Sequence, residues 1–191
     1  ENGDVMTRTE FHRLYSACED LEHVELIEGV VYLPSPIRAS GHAEEQMLVL
    51  EWLAAYRGTR RDLAVYPPAS LLLDDENEPE PDAMLVRMTA DALEDGYLVK
   101  APELIVEIAS TSAARDLHQK KRAYERNGVL EYIVWRTREA AIDWFRLVDG
   151  TYIAVAPDAK GIIESAEFPG LRLNLPAMAG LDRAAVLAAL A

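Results

Sequence analysis

The chain has 191 residues, half of them hydrophobic, and this length predicts a single domain over residues 1-191. Its 33 acidic residues outnumber its 19 basic ones, and the net charge of −14 argues against a general nucleic-acid binder, whose affinity rests on neutralising phosphates. The single cysteine, Cys18, excludes an intramolecular disulfide, and no apolar run approaches the roughly 20 residues of a membrane span. We therefore expect a soluble, cytoplasmic protein with Cys18 buried on its first helix.

The N-terminal part of the chain predicts two helices separated by a hairpin. Residues Thr7–Glu10 fit a capping box that begins the first helix. The segment HVELIEGVVYLP contains two apolar runs joined at Glu28-Gly29, which is typical of a β-hairpin. Ser40 is suited to cap the second helix, and Gly58 is suited to end it. The apolar residues expected on one face of this helix are Met47, Leu50 and Ala54, with Val49, Leu53 and Tyr56 beside them.

The rest of the chain alternates strands and helices before it ends in hairpins. Strands are predicted at LAVYPPASLLL, AMLVR, PELIVEIA and EYIVW. The acidic segment LDDENEPEPD reads as a solvated loop, residues 91–96 as a loop or short helical turn, and RDLHQKKRAYERNG as a helix capped by Asp116. A hairpin turns at Asp149-Gly150, and short strands and a last helix follow. This pattern predicts an α/β fold, with a mixed sheet flanked by helices and extra hairpins at both ends.

Glu107 lies in the middle of the apolar run Leu104–Ala109. A strand with one wet face alternates apolar and polar residues, and this run does not, so the carboxylate is predicted to point into an apolar surround. Asp82 opens the preceding strand, and the two carboxylates meet if the two strands are neighbours. Taken singly, Asp82 also fits an ordinary turn acid and Glu107 an edge residue that faces water.

Two carboxylates buried together repel one another, and each is costly to desolvate. A divalent cation removes that cost, and Mg²⁺ binds through one or two carboxylates while it keeps several waters. Such a cation lowers the pKa of a bound water and stabilises charge on a phosphate oxygen. A lysine such as Lys120, on the following helix, would assist that chemistry.

Three segments, EPEPDAMLV, PELIVEIAS and DLHQKKRAYERNGVLEYIVW, resemble the Uma-two family of restriction-endonuclease-like proteins, within the PD-(D/E)XK nuclease-like superfamily. The segments VELIEGVVY and FPGLRLNL fit the same family, so the resemblance covers about residues 7 to 190. Its most specific part is Lys120-x-x-x-Tyr124 followed by Gly128-Val129-x-Glu131-Tyr132. The resemblance implies a restriction-endonuclease-like core built around a site for Mg²⁺ or Mn²⁺.

The superfamily pattern implies the roles of individual residues in that site. Asp82 and Glu107 would be the metal ligands, completed by the backbone carbonyl of Ile108. The superfamily lysine usually stands two residues after the acid, but Ala109 occupies that position here. Lys120 is expected to replace it from the helix.

Several further residues are candidates for the same site. Lys121 competes with Lys120 because it shares a helix face with Tyr124. Glu25 matches an acid of the family hairpin and is either a third carboxylate of the site or a strand acid paired with an arginine. His42 matches a family histidine that lines the cleft, although a capping or surface role is equally compatible with its position. A second family acid of the hairpin is replaced here by Val30.

Two functions follow from these patterns. The first is a metal-dependent endonuclease that hydrolyses phosphodiester bonds in DNA, with the basic stretch Arg115–Arg126 as the candidate phosphate-facing surface or, alternatively, as an ordinary charged helix face. The second is a non-catalytic, homodimeric interaction module on the same scaffold, suggested by Val30 and by the acidic surface. We expect a homodimer in either case.

Overall fold

The computed structural model describes residues 1–18, 23–34 and 42–190. Its helices are α1 (Arg8–Tyr15), α2 (Glu44–Arg57), α3 (Ala113–Arg115), α4 (Lys121–Arg126), α5 (Leu175–Ala179) and α6 (Arg183–Ala188), and a π-helical turn, Asp116–Lys120, joins α3 to α4. Its strands are β1 (Glu25–Ile27), β2 (Val30–Tyr32), β3 (Leu63–Tyr66), β4 (Ala83–Arg87), β5 (Leu93–Glu94), β6 (Tyr97–Leu98), β7 (Leu104–Ala109), β8 (Glu131–Arg136), β9 (Ala141–Val148), β10 (Thr151–Ala154), β11 (Ile162–Glu164) and β12 (Arg172–Asn174).

The centre of the fold is a six-stranded mixed sheet in the order β10-β9-β8-β7-β4-β3. Every neighbouring pair is antiparallel except β7 and β8, which are parallel. Parallel neighbours need a crossover connection, and residues 110–130, which contain α3, the π-turn and α4, supply it. The chain therefore carries a strand–helix–strand unit at the centre of its sheet, as the sequence predicted.

Both faces of strand β7 are covered. Leu104, Val106 and Ile108 belong to the apolar cluster that includes Trp52 of helix α2. Ile105 and Ala109 belong to the opposite cluster, which includes Tyr124 of helix α4. All six residues of the strand are buried, which explains the continuous apolar run. Glu107 points to the side of Ile105 and Ala109. It lies beneath the helical segment of residues 113–126, formed by α3, the π-turn and α4 and here called the crossover helix.

Three small hairpins lie beside the main sheet. The turn Glu28-Gly29 between β1 and β2 has positive φ at both residues (52° and 75°), the geometry of the primed turns that suit hairpins. The pair β11–β12 confirms the C-terminal hairpin. The pair β5–β6 corrects the expected loop or helical turn at residues 91–96, because Asp95-Gly96 makes the same kind of turn.

The helices confirm some details of the sequence analysis and correct others. The hydroxyl of Thr7 accepts a hydrogen bond from the Glu10 N–H at 3.3 Å, as the capping box predicts. Cys18, however, is exposed and lies beyond the end of α1. Helix α2 ends at Gly58 as expected, and Ser40 lies outside the described residues. Of the apolar residues predicted to share this side of α2, Val49, Leu53 and Tyr56 are buried, but Met47 is 59% exposed and Ala54 is exposed as well. The buried residues of α2 are Glu45, Leu48, Val49, Trp52, Leu53 and Tyr56.

The acidic segment before Asp82 is not a simple solvated loop. Asn77 and Glu78 are buried, at 0% and 1% exposure. The Asn77 side chain accepts from the Glu28 N–H at 2.9 Å and donates to Asp74 at 2.7 Å. Asn127, at the end of α4, donates to the other oxygen of Asp74 at 2.6 Å. The segment therefore joins the β1–β2 hairpin to the crossover helix and fixes the chain that leads into Asp82.

No helix in residues 1–18, 23–34 or 42–190 has both the length and the apolar character needed to cross a bilayer.

Candidate active site

Strand pairing brings Asp82 and Glu107 together. Strands β4 and β7 are antiparallel neighbours with Ala83 opposite Val106, so the residue before β4 lies across from Glu107. An Asp82 carboxylate oxygen accepts a hydrogen bond from the Ile108 N–H at 2.7 Å, which fixes its side chain at the end of β7. Asp82, Glu107 and Ile108 all line one cleft of about 420 Å³.

Lys120 reaches the acids from the crossover helix. Asp116, Lys120 and Tyr124 follow one another at intervals of four residues and face the sheet. The Lys120 ammonium lies 3.0 Å from Glu107 Oε1 and 2.7 Å from Glu25 Oε1. The Tyr124 hydroxyl donates to the same Glu107 oxygen at 2.7 Å. One carboxylate oxygen of Glu107 therefore accepts from two buried donors of one helix.

Lys120 and Lys121 point to different sides of the helix. In this turn the Lys121 N–H bonds the Asp116 carbonyl, five residues back, so the chain rotates less per residue than in an α-helix. Residues four apart lie on one face here, as they do in an α-helix, so Asp116, Lys120 and Tyr124 share a face and Lys120 points inward. Lys121 points elsewhere, with its ammonium 3.7 Å from the centre of the Phe145 ring. The structure does not bring Lys121 to the cluster.

Glu25 and His42 both join the cluster. Besides Lys120, the Glu25 carboxylate accepts from the Glu80 N–H at 2.9 Å and lies 3.6 Å from a guanidinium nitrogen of Arg115. His42 Nε2 lies 3.3 Å from Asp82 Oδ1. Of the sequence-predicted site residues, the structure thus assembles Glu25, His42, Asp82, Glu107, Ile108 and Lys120 in one cleft.

Asp116 is a member of the cluster that sequence reasoning missed. It was expected to cap the helix, but the helix begins earlier, at Ala113, and Asp116 lies inside it at 2% exposure. Its carboxylate accepts from the Ser112 hydroxyl at 2.6 Å and lies 3.8 Å from Lys120. The four-residue spacing to Lys120 and Tyr124 was the signal in the sequence that could have found it.

The cluster contains more carboxylates than cations. Burial raises the pKa of Glu107 well above its ordinary value, against the opposing effect of Lys120. Burial likewise raises the pKa of Asp116, and it raises the pKa of Asp82 to about 6. Burial lowers the pKa of Lys120, but Glu107, Glu25 and Asp116 outweigh it and leave that pKa well above its usual range. Lys120 is therefore an ammonium beside buried carboxyl groups, of which Asp82, Glu107 and Asp116 keep their protons to a higher pH than free carboxyl groups do.

Comparison with known proteins decides the family. Residues 8–176 match the family Uma2, described as "Putative restriction endonuclease". The chain belongs to the Uma2 family. Comparison with curated protein sequences found no similar protein.

A solved structure shares the fold of this Uma2 chain. It is a crystal structure from Anabaena variabilis ATCC 29413, described as "a putative nuclease belonging to DUF820". The two superpose with a TM-score of 0.71 at 14% sequence identity, over 92% of this chain and 98% of the other. At that identity the likeness establishes the fold: a nuclease-like mixed sheet flanked by helices.

The donor atoms of this Uma2 site fit a hard divalent cation. Its carboxylates are oxygen ligands of the kind that Mg²⁺ and Mn²⁺ prefer, and their negative charge exceeds that of Lys120 and Arg115. In the described part of the chain, no three His, Cys, Asp or Glu side chains converge into a ready-made metal cage. The arrangement therefore suits Mg²⁺-type binding by two carboxylates, a backbone oxygen and water, and not an all-side-chain cage.

The basic stretch Arg115–Arg126 differs from the expected phosphate-facing surface. Arg122 makes two hydrogen bonds to Glu28, at 2.9 and 2.7 Å, and Arg126 donates to Asp74 at 3.3 Å. Lys121 covers an aromatic ring, as described above. Of the basic residues in this stretch, only Arg115 and the buried Lys120 line the cleft of the Uma2 site.

Proposed function

We propose that this Uma2 chain, as a single domain over residues 1–191, hydrolyses phosphodiester bonds in DNA with the help of Mg²⁺ or Mn²⁺. Asp82, Glu107 and the backbone carbonyl of Ile108 would hold the cation. When bound, such a cation supplies Lewis acidity that makes a water more acidic and offsets charge on the phosphate. The protein would act as a cytoplasmic homodimer.

The protein's own residues have separate tasks in this proposal. Lys120 provides a fixed positive charge beside Glu107, where it would stabilise the negative charge that grows on a phosphate oxygen as water attacks. Glu25 and Tyr124 hold that part of the site in place, since Glu25 binds the ammonium and Tyr124 binds the shared Glu107 oxygen. His42 Nε2 lies beside Asp82 Oδ1 and orients that oxygen.

One observation carries the proposal. Asp82 and Glu107 come from segments 25 positions apart in the sequence and meet across neighbouring strands, with a buried lysine between Glu107 and Glu25. Burying several carboxylates together is unfavourable, and Lys120 offsets only part of their charge, so a bound cation would stabilise the cluster further. Membership in Uma2 and the nuclease-like fold support the same reaction class.

The first test is binding of the metal alone. With 5 mM Mn²⁺ at a hundred times its Kd, the wild-type protein should be stabilised by about 2.7 kcal/mol, a rise in Tm of about 5–11 °C for a chain of this size. Asp82→Asn and Glu107→Gln should lose most of that rise. Asp143→Asn is the matched control, because Asp143, on β9, pairs with Arg136 at the end of β8 and does not line the cleft.

The second test is cleavage. Wild-type protein with Mg²⁺ or Mn²⁺ should cut DNA, Asp143→Asn should cut it equally well, and Asp82→Asn should not cut. Absence of cleavage of single-stranded, duplex and branched DNA with either metal would refute the enzyme proposal.

A second function is favoured by one feature of the cluster. Lys120 already forms ion pairs with Glu25 and Glu107, so the acids have an internal partner, and Val30 supplies no further carboxylate. A non-catalytic homodimeric module would show a Tm that is indifferent to Mn²⁺ and that rises with protein concentration.

A further inference from the structure

Among the residues that the structure describes, one cation of the cleft is held in place without a close hydrogen-bonded acid. The guanidinium of Arg115 lies over the Tyr32 ring, 4.3 Å from its centre, and both residues line the cleft. Tyr32 is itself fixed, since the Gln119 side chain donates to its hydroxyl at 2.9 Å. A stacked guanidinium on an anchored ring loses little further freedom when a ligand binds to it.

The polar contacts of Arg115 leave its donors available. Its ion pair in the described residues is with Glu25 at 3.6 Å, which is beyond hydrogen-bond distance. Its side chain is 28% exposed, so an approaching ligand can reach it. Arg122, on the same helix, has instead committed two nitrogens to Glu28.

We propose that Arg115 binds a phosphate of a single DNA strand as it enters the cleft, a role that rests on the proposed nuclease function. The planar donor fork of a guanidinium matches two phosphate oxygens at once. The surrounding Glu25, Glu80 and Asp82 repel a phosphate, and Arg115 offsets them at the cleft wall. A phosphate therefore binds at Arg115, which places the strand beside the buried cluster.

The occupant is a single strand for three reasons. The cleft volume of about 420 Å³ is in the range of pockets that enclose a small ligand, not a double helix. A duplex presents a second backbone, yet the other exposed arginines of the crossover helix, Arg122 and Arg126, are paired with acids. With a net charge of −14 as well, single strands, flaps and gaps suit this surface better than continuous duplex.

The experiment compares Arg115→Gln and Arg115→Lys with Arg122→Gln, which removes a cation of the same helix outside the cleft. Binding of a fluorescent oligo-dT strand and of a duplex of equal length is followed by anisotropy without added metal, and kcat and KM for both are measured with Mn²⁺. Thermal melts establish that each variant is folded.

We expect the wild-type protein to favour the single strand. Arg115→Gln should raise KM for it at least tenfold with little change in kcat, as loss of uniform binding does. It should also reduce the slope of log affinity against log salt by about 0.7, the value for one phosphate contact to a single strand. The KM and salt slope of Arg115→Lys should lie between those of wild type and Arg115→Gln, since lysine keeps the charge but not the planar donor fork. Arg122→Gln should match wild type in both.

Two results would overturn the inference alone: equal KM and salt slope in Arg115→Gln and Arg122→Gln, or higher kcat/KM on duplex than on the single strand. A wild-type protein that neither binds nor cuts any DNA would overturn the proposed function together with it.

Discussion

Replacement of Lys120 by methionine should destabilise the protein strongly, whereas the same change at Lys121 should not. Lys120 is 4% exposed and lies within 3.0 Å of two carboxylates, Glu25 and Glu107. Removal of one partner of a buried ion pair costs about 3–5 kcal/mol, because the remaining charges are left in a medium of low dielectric. For a chain of this size that corresponds to a fall in Tm of about 6–20 °C. The Lys121 ammonium lies over Phe145, a contact worth about 0.5–2 kcal/mol.

The loss should depend on pH. Lys120 lowers the pKa of Glu107 and of Asp116, so its removal raises both further above their unfolded values. A carboxyl whose folded pKa is raised binds more protons in the folded state, and stability then falls as pH rises from the unfolded pKa to the folded one. Lys120→Met should therefore be closest to wild type near pH 4 and should lose stability progressively toward pH 8.

Urea unfolding followed by tryptophan fluorescence measures this directly, because Trp52, Trp135 and Trp144 are all buried. Wild type, Lys120→Met and Lys121→Met would be compared at pH 4.5, 6 and 8. Equal stability of the two variants at pH 8, or a loss in Lys120→Met that does not vary with pH, would refute the assignment of Lys120 as the ammonium that neutralises the cluster.

Three other changes test separate parts of the structure. Burial raises the pKa of Asp82 from 3.8 to about 6, so the folded state binds a proton that the unfolded state has lost. Without metal, the free energy of unfolding should therefore fall by on the order of 3 kcal/mol between pH 4 and pH 6. Urea unfolding of Asp82→Asn over the same pH range should lack that fall. Glu131, fully buried, accepts from the Ser165 hydroxyl, and Glu131→Ala should cost about 3–5 kcal/mol in urea unfolding and expose the β11–β12 hairpin to limited proteolysis. Asn77→Ala should lower the free energy of unfolding by about 1–3 kcal/mol. Glu76→Ala, at an exposed site in the same segment, should change it by no more than about 0.5 kcal/mol. Equal unfolding midpoints for these two variants would contradict the bridging role of the acidic segment.

Much of the sheet followed from the sequence because its signals are local. The apolar run of β7 and the Asp149-Gly150 turn are properties of a few adjacent residues, and the structure confirms the strand and the hairpin. The pairing of Asp82 with Glu107 was predicted only conditionally, since strand adjacency is a long-range property. The antiparallel register of β4 and β7 satisfies that condition.

The remaining errors share one cause: the outcome depended on partners distant in the chain. Helix α2 is apolar around most of its circumference, so spacing alone did not select the face that packs on the sheet. The polarity of Asn77 and Glu78 suggested solvent, but contacts with Glu28 and His12, about 50 and 66 positions away, bury them.

If the proposed cation binds, the ammonium of Lys120 would make folding independent of it. Because the acids have a partner within the polypeptide, we expect the chain to fold in a metal-poor environment and a chelator to leave it intact. A descendant that stops using the cation would keep its architecture and could be recruited for other work. Catalytic and non-catalytic proteins with this fold would then differ by very few substitutions.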